Sequence, residues 1–267
     1  REKLEDNLRE KNEIFKKAYQ YREFDFRKIY KEYLSYADFL SEYIDDIAVV
    51  LDKAYSLKKD ILFEGAQGTF LDIDFGTYPF VTSSSAISAG ACVGSGVSPR
   101  RIDKIIGVAK AYTTRVGEGP FVTEFKDKFA EFMRAKGNEF GATTGRPRRC
   151  GWFDAVMVRR SILLNGINEI AITKLDVLDN IDNIEVCVAY KYKGKIFKDF
   201  PCDFDVLTGS KPVYKKVSGW SKPQKPIKTY RDLPVGARNY LNMLQDSLGV
   251  RFSMVSFGSA REETIRV

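Results

Sequence analysis

The segment Gly141-Ala142-Thr143-Thr144-Gly145-Arg146-Pro147-Arg148 sets two hydroxyls and two guanidinium groups among glycines, with no apolar run. Gly141 and Gly145 let the backbone take loop conformations that a Cβ resists. Thr143 and Thr144 can both donate and accept, and the planar forks of Arg146 and Arg148 match carboxylates and phosphates. The segment reads either as a receptor for a small anion or as a solvated basic turn. A second constellation, Thr173-Lys174-Leu175-Asp176, follows the apolar run Ile170-Ala171-Ile172. A carboxylate there can accept from both N1–H and the exocyclic amine of guanine, a pairing that adenine does not offer. Lys174 would lie on the same side of an extended chain, where its stem can cover the base. A further loop, Gly65-Ala66-Gln67-Gly68-Thr69, precedes the hydroxyl cluster Thr82-Ser83-Ser84-Ser85. That cluster either caps a helix or holds a phosphate at a helix N-terminus. Asp72 and Asp74 form either a metal pair or the polar face of an exposed strand.

These groups need elements to hold them. Apolar residues at helical spacing predict an amphipathic helix over 1–21 and a second with its stripe running from Tyr30 to Leu51. Asp60-Ile61-Leu62-Phe63-Glu64 reads as a short buried strand delivering the Gln67 loop. Strands are predicted over 103–111, 169–172 and 251–256, helices over 127–136, 152–164 and 238–248, and a hairpin over 183–197 with Lys193-Gly194-Lys195 at its turn. The proline- and lysine-rich stretch 202–232 reads as irregular surface with short strands. Strands alternating with helices imply one α/β domain with a largely parallel sheet, whose strand ends are where ligands sit.

Composition narrows the partners. The 267 residues are 44% hydrophobic and 30% charged, as in a globular chain, and the net charge is +7. A basic balance suits nucleic acid, a membrane surface or anionic small molecules. The N-terminal basic residues alternate with acids as on a solvated helix face, so neither nucleic acid nor membrane is expected as a partner. Cys92, Cys150, Cys187 and Cys202 are scattered without a CxxC pair and read as reduced cytosolic thiols. Histidine is absent, so any imidazole acid or base must come from outside this sequence. The chain opens without methionine or helix cap, and we expect it to be cut from something longer.

The segments Glu64-Gly65-Ala66-Gln67-Gly68-Thr69-Phe70-Leu71-Asp72-Ile73-Asp74, Gly76-Thr77-Tyr78-Pro79-Phe80-Val81-Thr82-Ser83-Ser84, Gly141 to Arg146 and Thr173-Lys174-Leu175-Asp176-Val177-Leu178-Asp179 closely resemble adenylosuccinate synthetases, in the same order, from about Ile61 to the last residue. The resemblance implies a P-loop-NTPase-like α/β fold with a largely parallel central sheet flanked by helices, incomplete here at the N-terminus, its residues 1–58 mainly helical. It also implies a GTP-dependent ligase of AMP biosynthesis. That enzyme joins IMP and L-aspartate through a 6-phosphoryl-IMP intermediate, with Mg2+, in the cytoplasm and as a homodimer.

Carried over motif by motif, the resemblance assigns Gln67, Thr82, Val116 and Arg146 to IMP. It assigns Ala142, Thr143, Thr144, Gly145, Arg146, Pro147 and Arg148 to aspartate. Arg148, Lys174, Leu175, Asp176, Ser256, Phe257 and Gly258 fall to GTP. The family's phosphate loop, catalytic aspartate, catalytic histidine and magnesium ligands lie N-terminal to this sequence. No catalytic or metal-ligating residue is therefore expected here, and the chain alone is expected to lack turnover. Phe75 and Ser259-Ala260 depart from the family pattern, the latter within the guanine loop. The alternative reading is a non-catalytic nucleotide-binding or oligomerisation module derived from that family.

Overall fold

The computed structural model describes residues 1–141 and 145–267. Contacts divide the chain into two units, Arg1–Ile61 and Leu62–Val267. The first unit is helical: α1 (Glu2–Tyr19), α2 (Phe26–Leu40) and α3 (Ile47–Ser56). Asp25 caps α2 by accepting from the Lys28 amide at 2.7 Å. The single long helix expected after residue 26 is broken at a 3-10 turn, Ser41–Tyr43. Asp46 explains the restart: its carboxylate accepts from the amides of Ala48 and Val49, which opens a new helix instead of extending the old one.

The second unit runs α4 (Ala89–Ser95), β1 (Ile106–Lys110), β2 (Thr113–Arg115), α5 (Asp127–Lys136), β3 (Arg149–Gly151), β4 (Phe153–Asp154), α6 (Ala155–Asn165), β5 (Glu169–Thr173), β6 (Asn183–Tyr192), β7 (Lys195–Phe197), α7 (Phe204–Gly209), β8 (Lys211–Ser218), α8 (Val235–Leu248), β9 (Phe252–Ser256) and β10 (Thr264–Arg266). The central sheet has the order β1-β5-β9-β10. Its first three strands are parallel, and β10 closes it antiparallel. β5 lies between two strands and is almost wholly buried, as an inner parallel strand must be. Ile170, Ile172, Phe252 and Val255 of this sheet pack with Tyr240, Leu241 and Leu244 of α8 and with Leu175 and Leu178 after β5. A second sheet pairs β4 parallel to β6, with β7 and β8 antiparallel to β6. The expected α/β fold with a largely parallel central sheet is therefore the one observed.

Several local expectations are corrected. Residues 59–66 form no strand, and Leu62 is exposed, because no described strand lies alongside to accept the ladder. Residues 152–154 do not open α6, because Asp154 accepts from the amides of Val156 and Met157 and so starts the helix at Ala155. The stretch 202–232 carries α7 and the eight-residue β8, which pairs along β6.

Candidate functional site

Because β1, β5 and β9 are parallel neighbours, their carboxyl ends emerge along one edge of the sheet. This edge presents Lys110, the Thr173-to-Asp176 segment and the Ser256-to-Gly258 turn. In open α/β sheets it is the edge where ligands bind.

The chain leaving β5 is not extended. Lys174 adopts a left-handed conformation (φ 59°), and Leu175–Leu178 forms a 3-10 turn. The alternation expected to set Lys174 and Asp176 on one side of a strand is therefore corrected. The Lys174 ammonium donates to the Gly137 carbonyl and stands 3.6 Å from Glu139 Oε1. Leu175, Val177 and Leu178 are buried and anchor the turn, while Asp176 stays partly exposed. Leu175 and Asp176 line a cavity of about 350 Å³ together with Asp179, Trp220, Phe257 and Gly258. Two strand ends far apart in sequence thus share one pocket. Lys174 and Ser256 adjoin it without lining it; the Ser256 hydroxyl donates to the Gly258 carbonyl at 2.9 Å and fixes the turn.

Two features of this pocket are not foreseen from sequence. Asp179 is buried and accepts the Trp220 indole N–H at 2.6 Å. Burial pushes its carboxyl above the usual range despite that bond. Glu263 closes the loop containing Ser259-Ala260, accepting the Ala260 amide at 2.8 Å. Its carboxyl occupies the space a Cβ at Gly258 would need, so a side chain there would displace the Glu263 carboxyl.

The arginine segment starts from a stem at Glu139 and Arg148. The Arg148 amide donates to the Glu139 carbonyl at 2.9 Å, and Phe140 pairs with Pro147. Gly141 donates to the Arg146 carbonyl at 2.8 Å, and Gly145, at φ 63°, donates back to Gly141 at 2.8 Å. Gly145, Arg146 and Pro147 are exposed. Ala142, Thr143 and Thr144 lie outside the described residues.

Glu139 is a further residue that sequence reasoning missed. Its carboxylate is fully buried and accepts from Lys110 Nζ at 2.8 Å on both oxygens, from Tyr112 Oη at 2.6 Å and from Arg148 Nη1 at 2.9 Å. The Arg148 fork is therefore engaged at one end and is not wholly offered to a ligand. Burial favours the neutral acid, but the bonds from Lys110, Tyr112 and Arg148 outweigh it and hold Glu139 down to about 2. A carboxyl so depressed binds fewer protons folded than unfolded. Its contribution is complete above the ordinary value of 4.5 and is lost as pH falls towards 2. The interval corresponds to roughly 3 kcal/mol. Urea unfolding at pH 6 and pH 3 should show the wild-type chain losing more stability on acidification than Glu139→Gln; equal losses would remove Glu139 as the cause.

The loop from Gln67 to Ser85 is organised by Asp72. Its buried carboxylate accepts from the amides of Asp74, Phe75, Ala86 and Ile87. Neither sequence reading of Asp72 and Asp74, metal pair or exposed strand face, survives. Both Asp72 oxygens are committed to backbone. Thr82 donates its amide to the Leu71 carbonyl at 2.7 Å, and Gln67 sits in a left-handed conformation at φ 62°. The hydroxyl cluster does not cap α4, whose N-cap is Ser88. Arg115 fastens this loop to β2, donating to Thr77 Oγ1 at 2.9 Å and to the Phe80 carbonyl at 3.0 Å. Val116 follows directly. The β2–β3 register pairs Arg115 with Arg149, which brings Val116 to the end of the ladder where Arg148 enters. Arg149 is in turn held by Glu124 at 2.6 and 2.5 Å.

A chain of contacts thus runs from the Thr77–Thr82 loop through Arg115 to Val116 and the arginine stem, then through Glu139 to Lys174 and the Asp176 pocket. Its exposed polar surface can hold anionic groups and a purine edge. Among the described residues no group of His, Cys, Asp or Glu is gathered to hold a metal ion. With Asp72 also committed to amides, these residues do not fit a magnesium site. Among the described residues no helix is long and apolar enough to cross a membrane.

The family described as adenylosuccinate synthetase matches residues 1–265. The adenylosuccinate synthetase of Caldanaerobacter subterraneus is 49% identical over 265 residues, covering 99% of this chain and 62% of its own. That of Thermodesulfovibrio yellowstonii is 51% identical over 263 residues, covering 98% and 62%. The structure of fully ligated adenylosuccinate synthetase from Plasmodium falciparum matches with a TM-score of 0.89 at 33% identity, covering 99% of this chain and 64% of its own. The chain spans about 62% of the length of these curated relatives. Sequence identity near one half, and a fold shared over almost every residue, establish that the chain belongs to the adenylosuccinate synthetase family.

Proposed function

We propose that the complete protein to which this chain belongs ligates IMP and L-aspartate to adenylosuccinate at the expense of GTP, and that this chain supplies the base pocket and the carboxylate-binding loop. The observation that carries the reading is the cavity shared by Asp176 and the Phe257-Gly258 turn, joined through Glu139 to the arginine stem. In this reading O6 of IMP attacks the γ-phosphorus of GTP, releasing GDP and giving 6-phosphoryl-IMP. The aspartate amine then attacks C6, and inorganic phosphate leaves. Phosphoryl transfer of this kind depends on positioning and charge neutralisation more than on covalent help.

This chain's residues have roles suited to that chemistry. Asp176 accepts from the N1–H and 2-amino group of guanine, with Leu175 and the Phe257-Gly258 backbone closing on the base. Lys174 and Arg148 face the nucleotide from the stem side. Ala142 to Arg148 enclose aspartate, with Arg146 and Arg148 pairing its carboxylates as planar forks. Gln67, Thr82, Val116 and Arg146 hold IMP, Thr82 at its 5′-phosphate. Magnesium, cytoplasmic location and a homodimer belong to the same reading, the metal being held outside the residues described here.

The test is adenylosuccinate formation, followed by absorbance, with the complete protein and with residues 1–267 alone. Turnover by the complete protein and none by the chain is the expected pair of results. Robust turnover by the chain alone would refute the division of labour, and none by the complete protein would refute the activity.

A further inference from the structure

We infer that Glu139 is a positioning residue that serves the carboxylate-binding loop and the guanine-nucleotide pocket together, so that neither holds its ligand at full strength without it. The inference rests on the functional reading above and adds a residue to which no role is assigned.

The backbone and the side chain of Glu139 do different work. Its backbone is the stem of the arginine loop: the amide bonds back to Arg134 at 2.9 Å, and the carbonyl receives the Arg148 amide at 2.9 Å. Its carboxylate faces inward, where Oε2 takes Arg148 Nη1 at 2.9 Å and Oε1 takes Tyr112 Oη at 2.6 Å. Lys110 Nζ bridges both oxygens at 2.8 Å and also donates to Thr114 Oγ1 at 2.8 Å, so its donors are spent within the protein. Lys174 approaches Oε1 to 3.6 Å. One carboxylate therefore faces cations from the end of β1, the start of the turn after β5 and the foot of the arginine loop.

Two further observations show that this arrangement is built. Gly137 has no side chain, and a Cβ there would collide with the Tyr112 hydroxyl that reaches Glu139. The same glycine's carbonyl accepts from Lys174. In addition, the cations outnumber the carboxylate they surround, which leaves positive charge for an incoming anion on either side. A lone cation in this position would swing or be repelled by its neighbours. Anchored to a shared buried carboxylate, Arg148 and Lys174 are held in place before a ligand arrives, and the ordering loss on binding is smaller.

The experiment uses the complete protein. Glu139→Gln keeps the shape and removes the charge. It should weaken GDP binding, measured by calorimetry without other ligands, and raise KM for aspartate, each about tenfold. Glu139→Asp should recover part of both, since it restores the charge at shorter reach. Tyr112→Phe tests the point without disturbing charge. It removes one bond to Oε1, leaves the folded core intact, and should shift both quantities in the same direction by about threefold. If Glu139→Gln fails to fold, Tyr112→Phe decides alone. A folded variant that alters only one of the two ligands, or neither, overturns the inference. Wild-type protein that neither turns over nor binds GDP would instead overturn the functional reading, so the two failures are distinct.

Discussion

Asp176→Asn in the complete protein should lower kcat/KM for GTP about a thousandfold, and for ITP only about tenfold. The carboxylate accepts twice from guanine, at N1–H and at the 2-amino group. Asparagine offers one acceptor and sets an NH2 against the remaining donor, so a bond is lost and a donor is left facing a donor. Hypoxanthine has no 2-amino group, and the amide oxygen of the substituted side chain can turn to its N1–H. The preference for GTP over ITP should therefore shrink about a hundredfold, in line with the general behaviour of sites built around a hydrogen bond. The turn itself should survive, because buried Leu175, Val177 and Leu178 hold it and Asp176 is partly exposed. Initial rates with the two nucleotides at fixed IMP and aspartate check the prediction. An unchanged GTP-to-ITP ratio would take Asp176 out of base recognition.

The pocket containing Asp176 was legible in the sequence because its logic is local. An apolar run followed at once by polar residues marks a strand end, and parallel strands put their ends on one edge. Both Asp176 and the Phe257-Gly258 turn follow such runs, and the structure brings them into one cavity. What local pattern could not supply was the conformation at Lys174. A left-handed residue there turns the lysine stem towards Gly137, and periodicity carries no information about a single positive φ.

Glu139 was not legible for a different reason. Gly137-Asn138-Glu139 looks like an ordinary end to α5, and its partners lie at positions 110, 112, 148 and 174. Only the tertiary fold makes one acid the meeting point of cations from separate elements. The one available signal was an acid immediately before an arginine-rich loop. Asp72 misled in the same way, since a carboxylate bound to four amides cannot be told from a ligand pair by spacing. The strand expected over 60–64 does not form, because among the described residues no strand lies alongside, and an apolar run becomes a strand only where another strand accepts its hydrogen bonds.

Arg148→Leu should reduce kcat/KM for aspartate by about 10²–10³, the effect of removing one partner from a partly buried charge pair. It should act mainly on aspartate, whereas Arg146→Leu should weaken both IMP and aspartate. The contrast follows from the two settings. Arg146 is exposed near the tip of the loop, while Arg148 sits at its foot with only 28% of its side chain accessible and one nitrogen bound to Glu139. A fork fixed at one end has already lost most of its freedom, so a ligand carboxylate gains nearly the full bond. Leucine keeps the apolar bulk of the stem. Glu139 also retains Lys110 and Tyr112, so the fold should tolerate the change. Steady-state KM values for all three substrates make the check, and small, equal effects on each would show the segment to be a solvated basic turn. Arg148→Lys sharpens the result. It restores the charge without the planar fork, and should recover no more than about a tenth of the lost activity if bidentate geometry is what aspartate requires.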